Sequence, residues 1–483
     1  MSETPEATSL DSQAVERLCQ PLRSALADFA NRYPGGDGRR QPVHTVYGGA
    51  HLFRSDSALK LGGAARRHFD EYFPDPLTLA RVLELPGHGG LPRHPGSERA
   101  LVERFEAEAE ALRDDDPAGW LAATVHRRVG EKLTREAVED FRIDFEDGFG
   151  HRPDDEEDGE AVRAAEEVAK GLAAGTLPPF LGLRIKPFSE ELRGRAVRTL
   201  DLFLTTLVRA SGGRLPDPLR VTLPKVSLPE EVAALVAILD RLEEVLGLEA
   251  GVLELELMVE TPQSLIGANG DVPLPRLVSA AGGRCVGAHF GVYDYTASCG
   301  VVAGHQAIRH PACDFARHMM QVALAGTGVQ LSDGATNLMP VGPHRASAGA
   351  PLGSRQRREN RKVVHRISKV NFDDVTHSLR HAYFQGWDLH PAQLPIRYAA
   401  VYTFFLEQLE PATQRLSQFI DKAAQATLLG DVFDDAATGQ ALLNFFLAGR
   451  SCGALSAEEA ERTGLSADEL ASRSFKTIVE GRR

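Results

Sequence analysis

The sequence has few cysteines and no long hydrophobic run. Its five cysteines are odd in number and scattered along 483 residues, which excludes a disulfide framework or a cysteine-based zinc site, and we expect them to be reduced. No stretch reaches the roughly 18 apolar residues that a membrane-spanning helix requires. The first residues have neither the basic nor the apolar segment of a signal peptide. These absences predict a cytoplasmic protein that does not enter membranes.

Basic residues are also in the minority. The chain has 54 Lys and Arg against 67 Asp and Glu, which gives a net charge of −13. Proteins that bind nucleic acids usually present a basic surface to the phosphates, so we do not expect a nucleic-acid partner. With 43% hydrophobic residues, the chain can bury a large core as one domain with additions or as three smaller domains.

Short β-rich runs alternate with helical stretches over most of the chain. The stretch 158–175 is typical of the helices, with acids near its start and a glycine at its end. Eight strands alternating with helices predict a (β/α)8 TIM barrel in the α/β class. The predicted strands are 44–50, 141–148, 180–187, 219–226, 253–261, 284–291, 328–334 and 386–394.

Three additions enlarge the predicted barrel, which spans 41–395. Residues 1–40 predict an N-terminal helical extension, because one amphipathic helix, 14–33, ends in the Pro/Gly-rich stretch "PGGDGRRQP". Residues 51–140 form a long insertion after strand one, since a single crossover needs far fewer residues. Only helical patterns follow the barrel, which predicts a C-terminal helical subdomain at 396–483.

Charged residues collect at the predicted carboxyl ends of five successive strands. Active sites of (β/α)8 barrels are built at this end, so the charges indicate one shared polar site rather than independent surface residues. The residues are Asp144, Glu146 and Asp147 at the end of strand two, Arg184 and Lys186 at the end of strand three, Lys225 at the end of strand four, Glu260 at the end of strand five and Asp294 where strand six runs out.

The residue types in this set indicate a metal site. Glu260 and Asp294 supply hard oxygen ligands that suit Mg²⁺, or Mn²⁺ in its place, and leave coordination positions for a chelating substrate. No histidine or thiolate accompanies the pair, which argues against zinc there. Arg184 offers a planar set of donors for a carboxylate or an enolate oxygen. A cation and an arginine near one carbonyl oxygen are what enolate chemistry requires.

Six segments, in chain order, resemble those of one group of proteins. The group comprises citrate lyase β-subunit-like proteins, HpcH/HpaI aldolases and malate synthases, which have a phosphoenolpyruvate/pyruvate-type barrel. The segments cover about residues 140–395, and the chain is similar to an enlarged member of the group. They are "FRIDFEDGF", "LGLRIKPF", "LPKVSLPEEV", "LMVETPQSL", "GAHFGVYDYTAS" and "GWDLHPAQL".

The resemblance implies a carbon–carbon lyase or aldolase that makes or consumes an enolate. Its substrate would be a 3-hydroxy acid or the coenzyme A thioester of one, and the half-substrates an oxo acid or an acyl-coenzyme A. By the same resemblance Glu260 and Asp294 ligate Mg²⁺, and Arg184 binds substrate and steadies the enolate. Glu146 and Asp147 would orient Arg184 or a metal-bound water. Proteins of this group commonly form trimers or hexamers, so we expect a homo-oligomer.

Other residues near the predicted site have open assignments. His51 follows Gly48-Gly49 where HpcH/HpaI aldolases have a histidine base nearby, which makes it the candidate base. Lys225 is either a substrate contact for a phosphate or carboxylate, or a lysine that extends to solvent. Asp144 lies earliest in its strand, and we expect it to hold another barrel residue in place.

Two other functions fit the same barrel. One is phosphoryl transfer between enolpyruvate and its phosphate, against which stands the lack of a glycine-rich phosphate loop. The other is a non-catalytic sensor that binds an acid or an acyl-coenzyme A, against which stands the retention of Glu260, Asp294 and Arg184.

Overall fold

Eight parallel strands form a barrel in the described part of the chain, which confirms the predicted fold. The computed structural model describes residues 10–36, 38–94, 96–346, 351–429 and 436–482, without the side chains of 422–429 and 436. The parts of the predicted regions at 1–9, 37, 95, 347–350, 430–435 and 483 lie outside the described residues. The strands are β1 (His44–Gly49), β2 (Asp140–Asp144), β3 (Phe180–Arg184), β4 (Leu219–Leu223), β5 (Leu253–Val259), β6 (Cys285–Phe290), β7 (Gln330–Ser332) and β8 (Gly386–Asp388).

The strands are hydrogen-bonded in the order β7-β6-β5-β4-β3-β2-β1-β8. A single parallel bridge between Ser332 and Gln385 brings the two edges together. The backbone N–H of Asp333 donates to the carbonyl of Gln385 at 2.8 Å and strengthens this closure. Every strand is shorter than predicted, and β2 to β5 end before Glu146, Lys186, Lys225 and Glu260, which belong to the loops that follow.

The two faces of the strands differ in polarity. In β5, Leu255 and Leu257 face the surrounding helices, and Glu256 between them is 1% exposed inside the barrel. Arg142 of β2 crosses the interior and donates from Nε to Glu256 Oε2 at 2.9 Å. Gly182 of β3 makes room for it, since a Cβ there would lie 3.0 Å from the Arg142 side chain and would also clash with a backbone oxygen. The interior is therefore charged, where most such barrels are filled by aliphatic residues.

The N-terminal extension contains α1 (Ser12–Arg32), close to the predicted 14–33. Asp11 caps it by accepting the backbone N–H of Ala14 at 2.7 Å. Leu18, Leu22 and Leu26 recur at helical spacing and are exposed, so α1 has an apolar stripe that this chain does not bury. The homo-oligomer stays a prediction.

The described part of the insertion after β1 contains four α-helices. Asp75 and Asp116 cap two of its helices, and a proline occupies the first position of each. The apolar faces of these helices pack against one another and join the main core. The insertion consists of α2 (Ser57–Tyr72), α3 (Pro76–Leu83), α4 (Ser97–Asp115) and α5 (Pro117–Arg135).

The remaining helices surround the barrel and extend beyond it. None of the helices in the described ranges is both long and apolar enough to cross a membrane. Those between strands are α6 (Asp154–Ala174), α7 (Arg193–Ser211), α8 (Pro229–Leu246), α9 (Pro262–Leu265), α10 (Leu274–Ala280), α11 (Val292–Ser298), α12 (Pro311–Leu324) and α13 (Ser354–Arg380). Those after β8 are α14 (Leu394–Leu429), α15 (Ala436–Ser451), α16 (Ala457–Glu461), α17 (Ala467–Ser472) and α18 (Phe475–Gly481).

Candidate active site

Arg184 is a buried cation at the carboxyl end of the barrel, and Asp144 fixes its side chain. The two residues are register partners on β3 and β2. Arg184 donates from Nε to Asp144 Oδ1 at 2.8 Å and from Nη2 to Asp144 Oδ2 at 2.5 Å. Burial raises the pKa of Asp144, but Arg184 and the backbone N–H groups of Glu146 and Gly148 outweigh burial and hold it below its usual value. Asp144 therefore holds a barrel residue in place, and that residue is Arg184.

Glu146 bridges two cations in the loop after β2. Its Oε1 accepts a hydrogen bond from Lys225 Nζ, and its Oε2 lies 3.0 Å from Arg184 Nη1. Glu146 is 7% exposed, and burial raises its pKa in spite of both cations. Asp147, which was predicted beside it as a second orienting group, is 60% exposed and lies 3.8 Å from Arg184 Nη1. Asp144, rather than Glu146 or Asp147, makes the paired hydrogen bonds that orient Arg184.

Glu260 follows β5 directly and is buried, with 1% of its surface exposed. Its Oε1 accepts the backbone N–H of Lys225 at 2.7 Å. Lys225 presents this N–H from a left-handed conformation, with φ of 53°. Burial raises the pKa of Glu260 to about 8, with Lys225 opposing the shift and Glu146 and Asp294 adding to it. Glu260 is thus protonated at neutral pH unless a further cation binds nearby.

Asp294 and Asp147 complete the arrangement from its solvent side. Asp294 lies in the first turn of α11, and 41% of its side chain is exposed. Lys225 Nζ is 3.5 Å from Asp294 Oδ2 and 3.6 Å from Asp147 Oδ1. The structure thus brings together six of the predicted residues, which we call the mouth cluster: Glu146, Asp147, Arg184, Lys225, Glu260 and Asp294.

The donor set of the mouth cluster fits a hard divalent cation. The atoms in it that could bind a metal are carboxylate oxygens, which Mg²⁺ and Mn²⁺ prefer, and it contains neither imidazole nor thiolate. The ammonium of Lys225 now makes contacts with three of these carboxylates, so a positive charge already occupies the space among them. Glu260 and Asp294 stay the candidate ligands, because they follow the adjacent strands β5 and β6 and both contact Lys225, Glu260 at the backbone N–H and Asp294 at the ammonium.

Gly291 permits Glu260 to occupy its position. A Cβ at residue 291 would clash with Glu260 Oε2 and would lie 2.5 Å from Glu260 Cβ. The Gly291 backbone has φ of −92°, which alanine adopts without strain. If Glu260 is a ligand, we expect Gly291→Ala to weaken Mg²⁺ binding at least about tenfold, because the substitution displaces this candidate ligand without removing it.

Calorimetric titration of Mg²⁺ measures this effect, and Gly304→Ala is the matched control. A Cβ at Gly304 would have no heavy atom within 4 Å, so a methyl group meets open space there. Unchanged Mg²⁺ affinity in Gly291→Ala would mean that Glu260 is not a Mg²⁺ ligand.

Two aromatic side chains, Tyr47 and Trp387, pack next to Arg184, and the sequence did not predict them. The Tyr47 ring lies 4.8 Å from the Arg184 guanidinium carbon and 4.4 Å from the ring of Trp387. The Tyr47 hydroxyl and Trp387 Nε1 lie 3.1 and 3.3 Å from His289 Nδ1. An indole nitrogen only donates, so Nδ1 accepts and the imidazole proton sits on Nε2, 3.5 Å from Glu256 Oε2. The available signal was the presence of polar and aromatic residues inside strands.

His51 lies apart from these contacts. Its ring packs against Phe149 at 5.8 Å, and the charged groups that act on it are led by Arg152 and Glu160. Burial and Arg152 lower the pKa of His51, which favours the neutral form that a base requires. No hydrogen bond or ion pair between His51 and the mouth cluster is present in the described residues. Its role as base stays a prediction.

Comparison with known proteins gives one family match. The model of a family described as "Domain of unknown function (DUF6986)" matches residues 22–478. A search of curated protein sequences found no match.

Solved structures with a similar fold include two of Haloferax volcanii malate synthase. Its pyruvate/acetyl-CoA ternary complex has 16% identity and a TM-score of 0.37, over 54% of this chain and 60% of that one. Its magnesium/glyoxylate complex has 16% identity and a TM-score of 0.40, over 58% and 70%. An HpcH/HpaI aldolase/citrate lyase family protein from Burkholderia cenocepacia J2315 has 18% identity and a TM-score of 0.28, over 42% and 74%. The chain thus spans less than two thirds of the first structure, and at such scores these likenesses carry no argument about activity.

Proposed function

The chain belongs to the DUF6986 family, and we propose that it is a Mg²⁺-dependent enzyme that forms or cleaves a carbon–carbon bond through an enolate. Its substrate class would be a 3-hydroxy acid or the coenzyme A thioester of one. The six sequence segments that resemble carbon–carbon lyases and aldolases support this class. Each of the first five segments supplies one or two residues of the mouth cluster.

The observation that carries the proposal is the excess of carboxylates around Glu260. The mouth cluster contains four carboxylates and two cations, and Asp144 takes up two of the guanidinium donors of Arg184. Glu260 is the buried member of this excess, so a negative charge on it costs free energy unless a cation binds or the carboxyl group keeps its proton. Burial raises the pKa of Glu260 to about 8, and the neighbouring carboxylates of Glu146 and Asp294 add to that shift.

The residues of the site have complementary tasks in this proposal. Glu260 and Asp294 would hold Mg²⁺, which supplies positive charge to a carbonyl oxygen as it becomes an enolate oxygen. Arg184 Nη1 faces the cluster while Asp144 holds the opposite edge of the guanidinium, so its donors are oriented before substrate arrives. Lys225 would bind a substrate carboxylate once Asp294, one of its present carboxylate partners, binds the metal.

The affinity for Mg²⁺ should depend on pH through Glu260. A carboxyl group with a pKa of about 8 must lose its proton before it binds a cation, so binding releases a proton below that pH. We expect the affinity to rise about tenfold per pH unit from about pH 6 and to level off above about pH 8. The metal-free protein should in turn lose stability as the pH rises through 8, because its folded state then holds an unpaired buried charge.

Calorimetry in two buffers of different ionisation enthalpy measures both the affinity and the number of protons released. Glu260→Gln is the comparison, since an amide has no proton to release and its residual affinity should be independent of pH. Equal Mg²⁺ affinity for the wild type at about pH 6 and about pH 8 would contradict the assignment.

Proton NMR in D₂O tests the proposed function. The wild type with Mg²⁺ should exchange the methyl protons of pyruvate or of acetyl-coenzyme A for deuterium, because both carbonyl compounds form enolates. Glu260→Ala should abolish the exchange. Glu244→Ala is the matched control, since Glu244 is 70% exposed on α8, and it should exchange at the wild-type rate.

The other outcomes discriminate among the alternatives. If pyruvate or acetyl-coenzyme A binds but neither methyl group exchanges, the result would contradict the enolate proposal and favour the sensor. Activity that requires a nucleotide would favour phosphoryl transfer. Exchange that persists in Glu260→Ala would mean that the protein forms an enolate but does not need Glu260 to do so.

A further inference from the structure

A second group of metal-ligating side chains lies outside the barrel, between α12 and α13. Asp314 is in the first turn of α12, His377 is in the last turn of α13, and His381 caps that helix. One donor atom from each of the three lies within 4.8 Å of the others. We propose that Asp314, His377 and His381 form a binding site for a zinc-type divalent cation. The site shares no residue with the mouth cluster and does not depend on the proposed function.

Hydrogen bonds already orient both imidazoles. His381 Nδ1 lies 2.8 Å from the backbone oxygen of His377, and a carbonyl only accepts, so Nδ1 carries the proton and Nε2 keeps its lone pair. Metal-bound histidines commonly donate their other ring N–H to a carbonyl in this way. His377 Nε2 lies 2.8 Å from Asp314 Oδ1, so the two groups share a proton that a cation would replace.

The carboxylate is anchored to the barrel. Arg317 Nη2 donates to Asp314 Oδ1 at 2.7 Å, and Arg317 Nη1 lies 3.0 Å from Asp333 Oδ1 just after β7. Ser378, next to His377 in α13, donates to Asp333 Oδ2 at 2.6 Å. This chain of contacts joins both helices to one strand end, so the donors are held together before a cation binds.

The donor chemistry selects the type of cation. Two imidazole nitrogens and one carboxylate oxygen suit Zn²⁺ and its transition-metal neighbours, whereas Mg²⁺ prefers oxygen ligands. His318 lies one turn after Asp314 in α12, and its ring is 5.2 Å from that of His381, so a third imidazole lies beside the group without belonging to it. The charge of Arg317 beside Asp314 opposes the cation, and we therefore expect micromolar rather than tighter affinity.

A matched control exists elsewhere on the surface. His344 Nε2 lies 2.6 Å from Glu359 Oε2, which is the same kind of histidine–carboxylate pair. Within the described residues, only Asp314, His377 and His381 form a group of three such donors, so the His344 pair lacks a third ligand. If any exposed histidine–carboxylate pair bound zinc, the two sites would behave alike.

Equilibrium dialysis of the full chain against Zn²⁺, with the mouth cluster saturated by Mg²⁺, tests the proposal. The wild type should bind one high-affinity Zn²⁺ per chain and gain thermal stability from it. His381→Ala should weaken that binding at least about 100-fold, and His377→Ala serves the same purpose if His381→Ala does not fold. His344→Ala should bind Zn²⁺ as the wild type does.

Three results would overturn the proposal. The first is a wild-type chain that binds no Zn²⁺ at micromolar concentration. The second is equal affinity in His377→Ala, His381→Ala and the wild type. The third is loss of Zn²⁺ binding in His344→Ala, since that loss would place the cation elsewhere.

Discussion

Arg184→Lys should lower the rate of enolate formation between about 10²-fold and 10³-fold and leave the fold intact. The guanidinium makes two parallel hydrogen bonds to Asp144, at 2.8 and 2.5 Å, which leave Nη1 aimed at Glu146 and at the mouth cluster. A lysine ammonium keeps the charge but cannot bond Asp144 with one edge and donate to substrate with another. It also loses the stacking on Tyr47.

The rate of methyl-proton exchange in D₂O measures this effect, with Mg²⁺ titration as a second reading. Mg²⁺ affinity should be retained, because the substitution conserves charge and touches neither Glu260 nor Asp294. Arg152→Lys is the matched control, since Arg152 also lies over an aromatic ring, that of Phe149 at 4.7 Å, but outside the mouth cluster. Full exchange activity in Arg184→Lys would show that its planar donors are not what steadies the enolate.

Much of the fold followed from the sequence, because two signals mark the strands. One is a short β-rich run, and the other is the polar or glycine-rich residues that end it, such as Glu260 after β5. All eight strands occur where they were predicted. The carboxyl ends of parallel strands share one end of a barrel, so the meeting of Arg184, Lys225 and Asp294 also followed from topology.

The pairing of individual side chains within the site did not follow from the sequence. Three acids stand within four residues after β2, and no local pattern ranks Asp144, Glu146 and Asp147 as partners of Arg184. The register of β2 and β3 decides it, because Asp144 lies directly opposite Arg184. His51 likewise looked close to the site along the chain, yet its ring packs against Phe149.

The charged interior of the barrel was missed for a related reason. The acids Glu254 and Glu256 alternate with leucines in β5, a pattern that usually indicates a solvent-facing side of a sheet. In a closed barrel that side faces inward, so Glu256 becomes buried and needs cationic partners. Those partners, Arg142 and Arg220, come from strands 114 and 36 residues away, beyond the reach of local patterns.

Arg142→Met should destabilise the protein by about 3–5 kcal/mol, the largest stability effect that we expect. Arg142 is fully buried, donates to Glu256 Oε1 at 2.6 Å and pairs with Asp140. Removing its charge leaves both carboxylates in the barrel with fewer partners, and Arg220, at 3.2 Å from Glu256 Oε1, compensates in part. Burial raises the pKa of Glu256, but Arg142 and His289 outweigh burial and keep it well below its usual value.

Urea unfolding at neutral pH measures the loss, and Arg241→Met is the matched control. Arg241 pairs with Glu244 at 2.6 Å on α8, but both side chains are about 70% exposed, so its loss should not shift the midpoint. The double variant Arg142→Met/Glu256→Leu should lose less than the sum of its single variants, because it removes both members of the pair. Additive losses would mean that the charges do not stabilise each other.

The wild type should become less stable as the pH falls below about 4.5, where protonation of Glu256 sets in for the unfolded chain.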